Sequence, residues 1–152
     1  MSSQPKHPPS QAGTASAPEG VWARIEGFHR MMVSLLRELD ATTDPVRIRD
    51  LVGTLHHGLP GHFADEVAPG GLFDDLAARR PASESILEYL RNDHEEILVM
   101  VRALHQRLAE SDPDDAGILH GKRKLLEKLR SHEHHENRLV MDTYRLDEGG
   151  MG

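Results

Sequence analysis

The chain has no cysteine, which excludes disulfides, thiolate metal ligands and a cysteine nucleophile. It has few aromatic residues, 4% of the 152, and leucine dominates the apolar set. β-branched residues are few, while Leu, Ala, Glu and Arg favour helix, so an all-helical domain is expected. No run of about 18 apolar residues occurs, so no membrane span is expected. There is no excess of basic charge either. The net charge is −7 with histidines neutral, which argues against a nucleic-acid partner. The N-terminal MSSQPKHPPSQAGTASAPEG lacks the apolar centre of a signal peptide, and a cytoplasmic location is the default expectation. No glycine-rich phosphate loop is present, and the sequence names no protein partner.

What remains is enough for one domain, with 38% hydrophobic residues to form a core. Residues 1–20, rich in Pro, Ser, Ala and Gly, read as a disordered tail. The end, DEGGMG over 147–152, reads as frayed. The folded unit is then 21–146.

Four segments carry helical periodicity. The first runs from Val21 through Ile25, Phe28, Met32 and Leu35 to Leu39, and stops near Asp40. The second opens with Asp44 as cap and Pro45 in the first turn, and continues through Ile48, Leu51, Val52, Leu55 and Leu59. Gly58, Pro60 and Gly61 predict a bend there. VAPGG (67–71) ends this helix, and LFDDLAARR has room for a short extra one. The third, from Ser83 to Ala109, follows Ile86, Leu90, Ile97, Val101, Leu104 and Leu108. The fourth, from Asp114 to Tyr144, follows Ile118, Leu125, Leu129, Leu139 and Thr143. Four amphipathic helices with short connections predict an up-down-up-down four-helix bundle.

Each stripe is interrupted by ionisable residues. His29 falls between Ile25 and Met32. His62 and Glu66 lie seven residues after Leu55 and Leu59. His94 falls between Leu90 and Ile97. His132 and Glu136 fall between Leu129 and Leu139, within HEHHE (132–136). Two stripes carry a His and a Glu four residues apart, a spacing that projects both side chains to one side of a helix. Six ionisable groups buried without partners are energetically costly. Imidazole and carboxylate are good metal ligands, so metal coordination resolves the conflict, and bundle cores are a common setting for it. A lone histidine on such a stripe reads as a hydrogen-bonded core residue; four, with two matching HxxxE pairs, do not.

The other histidines carry less. His134 should point outward, His57 is out of line, and His105 and His120 have no carboxylate at ligand spacing. His56 and His135 flank the stripes as alternative or supporting ligands. Several catalytic motifs fail. HExxH needs a histidine at 136, where Glu stands. A calcium loop from Asp112 lacks its twelfth-position glutamate and contains Pro113. Ferritin-type sites need two ExxH elements, and only Glu26–His29 fits.

The order of His29, HFADE (62–66), DHEE (93–96) and HEHHE (132–136) resembles the hemerythrin-like, or HHE cation-binding, family over roughly 21–146. That resemblance implies a four-helix bundle around two irons, oxo- or hydroxo-bridged, that binds dioxygen or senses oxygen, iron or nitric oxide. It also implies that His29, His62, His94 and His132 are terminal ligands and that Glu66 and Glu136 are bridging carboxylates. The chain differs from the oxygen-carrying members in having Leu98 one turn after His94, and in its helix-4 spacing, His132 to Glu136. The glutamate form resembles the intracellular iron-sensing relatives, some of which carry a carboxylate where this chain has Phe63. In an octahedral pair of irons, four imidazoles, two bridging carboxylates and an oxygen bridge leave about two of roughly twelve positions open for a small ligand. A binding or sensing role is therefore expected rather than an enzyme. The rival readings are a structural or protein-interaction bundle with weak or no metal loading, and a ferroxidase or peroxidase using the same carboxylate-rich site.

Overall fold

A computed structural model describes residues 20–148. The described chain forms α1 (Val21–Ala41), α2 (Pro45–Val67), a short α3 (Leu72–Arg79), one 3-10 turn (Pro81–Ser83), α4 (Glu84–Leu108) and α5 (Asp115–Glu148). The short extra helix expected in LFDDLAARR is α3. The tail at 1–19 and residues 149–152 lie outside the described residues, and α5 runs two residues into the segment expected to fray. No described helix is long and apolar enough to cross a membrane.

The helix ends follow local chemistry. Asp44 Oδ1 accepts from the Val46 amide at 3.1 Å, with Pro45 in the first turn. This satisfies one of the donors that a helix start leaves free. The C-terminus of α1 is closed from another helix: Lys122 of α5 donates to Thr42 O at 2.7 Å. A cation there meets the partial negative charge of the last carbonyls. At the end of α2, Gly70 takes φ +74°, a left-handed conformation that glycine adopts without a Cβ clash. The bend expected at 58–61 does not end α2, which stays one helix with Pro60 inside it.

The four long helices pack in a ring, α1 on α2, α2 on α4, α4 on α5 and α5 back on α1. The last of these seams is much thinner than the α2–α4 and α4–α5 seams. One apolar cluster joins Leu35 and Leu39 with Leu51, Leu55, Val101, Leu104, Leu125 and Leu129. A second joins Val21 and Ile25 with Leu72, Phe73, Leu76, Leu87, Leu90 and Leu139. Chain direction therefore alternates between the two clusters, which makes the bundle up-down-up-down. α3 lies against the second cluster and is tied to α5 by Tyr144, whose hydroxyl donates to Asp75 Oδ2 at 3.1 Å.

One expected core position needs correcting. Ile86 is 41% exposed, and its neighbour Leu87 is fully buried. Leu87 stands seven residues before His94 and so continues the inward line of α4. Ile86 is turned about 100° away from it.

Candidate metal centre

Between the two apolar clusters lies a polar layer. The chain passes from one cluster to the other through it four times: Ile25 to Met32 around His29 in α1, Leu59 of α2 to Leu72 of α3 around His62 and Glu66, Leu90 to Ile97 around His94 in α4, and Leu129 to Leu139 around His132 and Glu136 in α5. His62, Glu66, His94, His132 and Glu136 are buried. His29 is half-buried, its side chain 24% exposed. The six side chains singled out from sequence therefore meet in space.

Their geometry divides both carboxylates evenly. Glu66 Oε1 lies 3.2 Å from His94 Nε2. Glu66 Oε2 lies 3.1 Å from His29 Nε2 and 3.4 Å from His62 Nε2. Glu136 Oε1 lies 3.1 Å from His29 Nε2, and Glu136 Oε2 lies 3.3 Å from His132 Nε2. Each carboxylate thus gives one oxygen to the His94/His132 pair and the other to the His29/His62 pair. One donor atom each from Glu66, His94, His132 and Glu136 fall within 4.8 Å of one another, and so do donors from His29, His62 and Glu133.

These contacts are close, yet few are hydrogen bonds. His62 Nδ1 and Nε2, Glu66 Oε1, His94 Nε2, His132 Nε2 and both Glu136 oxygens are buried without a hydrogen-bond partner among the described residues. Orphaned buried polar atoms are rare in native proteins and carry a desolvation penalty. Lone pairs from neutral imidazoles and carboxylates, converging without thiolates, fit a divalent or trivalent first-row metal ion.

The electrostatics follow from burial and crowding. Burial, then the neighbouring His29, push His62 down to about 3. Burial, then His132, push His94 down to about 4. Both are held as neutral imidazoles, the form that binds metal. Burial would also depress His29 and His132, but the Glu136 carboxylate outweighs it and raises both. Burial and the nearby Glu136 hold Glu66 well above the usual carboxylate range. Two carboxylates this close do not both ionise without countercharge, and a bound cation would supply it.

A supporting shell orients the ligands. His132 Nδ1 lies 3.1 Å from Asp93 Oδ2, and Asp93 Oδ1 lies 2.8 Å from Lys128 Nζ. With Nδ1–H donating to Asp93, the Nε2 lone pair of His132 faces the centre, as is usual for metal-bound imidazoles. Phe28 stacks on His62 at 4.3 Å between centroids, and Phe63 stacks on His94 at 3.8 Å. Gly58 makes the first contact possible, since a Cβ there would come within 2.7 Å of the Phe28 ring.

Two flanking histidines fall outside the centre. His56 is exposed and stacks on His105 at 4.2 Å. His135 is exposed and meets Tyr89 edge-on at 5.8 Å. Neither joins a cluster of donors among the described residues, because both lie on helix faces turned about 100° from the buried stripe. His57 and His134 are exposed, as expected. Sequence reasoning missed Asp93 and Glu133. Each adjoins a recognised histidine, and the available signal was its own spacing, three after Leu90 for Asp93 and four after Leu129 for Glu133.

Residues 21–144 fit the family described as hemerythrin HHE cation binding domain. No curated protein and no solved structure matches significantly.

Proposed function

This chain belongs to the hemerythrin HHE cation-binding domain family, and we propose that its polar layer holds two iron ions. In this reading the protein binds or senses dioxygen, another small ligand or iron itself, and acts as a binder rather than an enzyme. The observation that carries the proposal is the division of Glu66 and Glu136, one oxygen to each histidine pair. That is the arrangement two bridging carboxylates need. His29 and His62 serve one metal position, and His94 and His132 serve the other.

Two irons so held supply reversible electron transfer to dioxygen, or a coordination position for a small ligand. The chain's own residues do the rest. Asp93 sets the orientation of His132, Phe28 and Phe63 cover the imidazole faces, and the two leucine-rich clusters keep bulk water from either end. The test is optical. Protein purified with iron is expected to show near-ultraviolet charge-transfer absorption that changes on adding dioxygen or azide. A colourless protein that gains no such band with ferrous iron overturns the proposal and favours a purely structural bundle.

A further inference from the structure

The surroundings of the two histidine pairs differ, and the difference lies in Glu133. This residue follows His132 by one position on α5 and is turned toward α1. Its carboxylate lies within 4.8 Å of donor atoms of both His29 and His62. It makes no hydrogen bond or ion pair with the described residues. Both ring nitrogens of His62 are likewise unpartnered, and the His62 side chain is only 1% exposed. Glu133 also lines a groove of about 420 Å³ along the thin α1–α5 seam, with Met32, Leu36 and Asn137. It therefore stands between this side of the centre and solvent.

We propose that Glu133 is a seventh protein ligand, closing the His29/His62 position and leaving the His94/His132 position the more open of the two. This rests on the two-metal reading above. The His29/His62 position then draws on five protein donors: two imidazoles, one oxygen each from Glu66 and Glu136, and Glu133. The His94/His132 position draws on four. The open side has its own route to solvent, because His94 and Phe63 together line a second groove of about 470 Å³ between α2 and α4. A small ligand is expected to reach the centre there, past the Phe63 ring, and to bind on the His94/His132 side.

Metal-free protein titrated with Co(II) tests this without any activity assay. Wild-type protein is expected to take up two ions. Glu133→Ala is expected to weaken one of them by at least the ten- to hundred-fold that loss of an outer-shell partner costs a metal site, leaving the other unchanged. His134→Ala, altered one residue further on and exposed, leaves both unchanged. Azide titration of the Co(II) protein is expected to show one binding event in wild type and a second in Glu133→Ala. Two unchanged affinities in Glu133→Ala, with wild type binding two, overturn the Glu133 assignment and spare the parent reading. Wild-type protein that takes up no Co(II) overturns both. The melting curve of metal-free Glu133→Ala checks folding, and Glu133→Gln, an isostere, carries the same expectation should the alanine variant not fold.

Discussion

The apolar end of the bundle and the polar layer are built on the same helices and the same stripes, yet they solve burial in opposite ways. At the apolar end, Leu39, Leu55, Val101 and Leu125 fill the space between helices, and the buried cation there, Lys122, is hydrogen-bonded to a backbone carbonyl. In the polar layer, helix packing brings imidazoles and carboxylates together and leaves their facing atoms unpaired. Seven of the nine buried side-chain polar atoms without a partner among the described residues belong to it. The first region explains why the chain folds. The second has a physical rationale only if something binds there, because burying unpaired polar groups opposes folding. Folding and metal binding are therefore expected to be coupled in the second region and independent in the first.

Acid should break this contrast most completely. His62 and His94 are depressed from 6.5 to about 3 and about 4. As pH falls, the unfolded chain takes up their protons first. Their contribution to stability is thus complete above about 6.5 and lost as pH falls from there toward 3. Metal ligation has the same sign, since it needs neutral imidazoles. His29 and His132 are raised, so they work the other way in metal-free protein, favouring the fold below about 6.5 and ceasing to do so as pH rises through their folded values. The loaded protein should therefore be the more acid-sensitive form. Metal content and melting temperature followed together from pH 7 to pH 4 check this, and full retention of metal at pH 4 contradicts ligation by His29 and His132, the two imidazoles whose affinity for protons is raised.

Substitutions separate the two regions. His62→Ala and His132→Ala are each expected to remove at least one metal ion per chain, whereas His57→Ala and His134→Ala leave metal content unchanged. Elemental analysis of the four purified variants decides it, and equal loss in all four contradicts the assigned facing. Leu125→Ala, fully buried at the apolar end, should destabilise by about 2–5 kcal/mol. Denaturant unfolding is expected to return the same loss with and without metal, and metal content per folded chain should not change. Asp93→Asn is milder. It keeps the shape but weakens the hold on His132 Nδ1, and a 10–100-fold fall in metal affinity is expected. By competition with a chelator, an unchanged affinity would show that Asp93 serves only Lys128.

Much of this was legible in the sequence because a 3.6-residue period survives translation into packing. The stripes of α1, α2 and α5 marked the core, and the interruptions marked the polar layer. Reasoning by stripe failed where two neighbouring residues compete for one inward slot. Ile86 and Leu87 are both apolar and stand four and three residues before Leu90, so the nearest step admits either; the seven-residue step to His94 and the packing against α3 and α5 favour Leu87. It failed again at helix seams. Asp93 and Glu133 sit one residue before and one after recognised histidines, and both also suit the stripe: Asp93 is three after Leu90 and four before Ile97, and Glu133 is four after Leu129 and three before Glu136. They reach the centre only because α5 passes beside Asp93 and α1 passes beside Glu133. Nothing in the local pattern reports which neighbour a seam will face.

The central claim is that the orphaned atoms of the polar layer are metal-binding atoms. Metal content per chain, measured by elemental analysis on freshly isolated protein, tests it most directly. Two iron ions per chain are predicted, and a folded, stable protein free of bound transition metal would contradict the account.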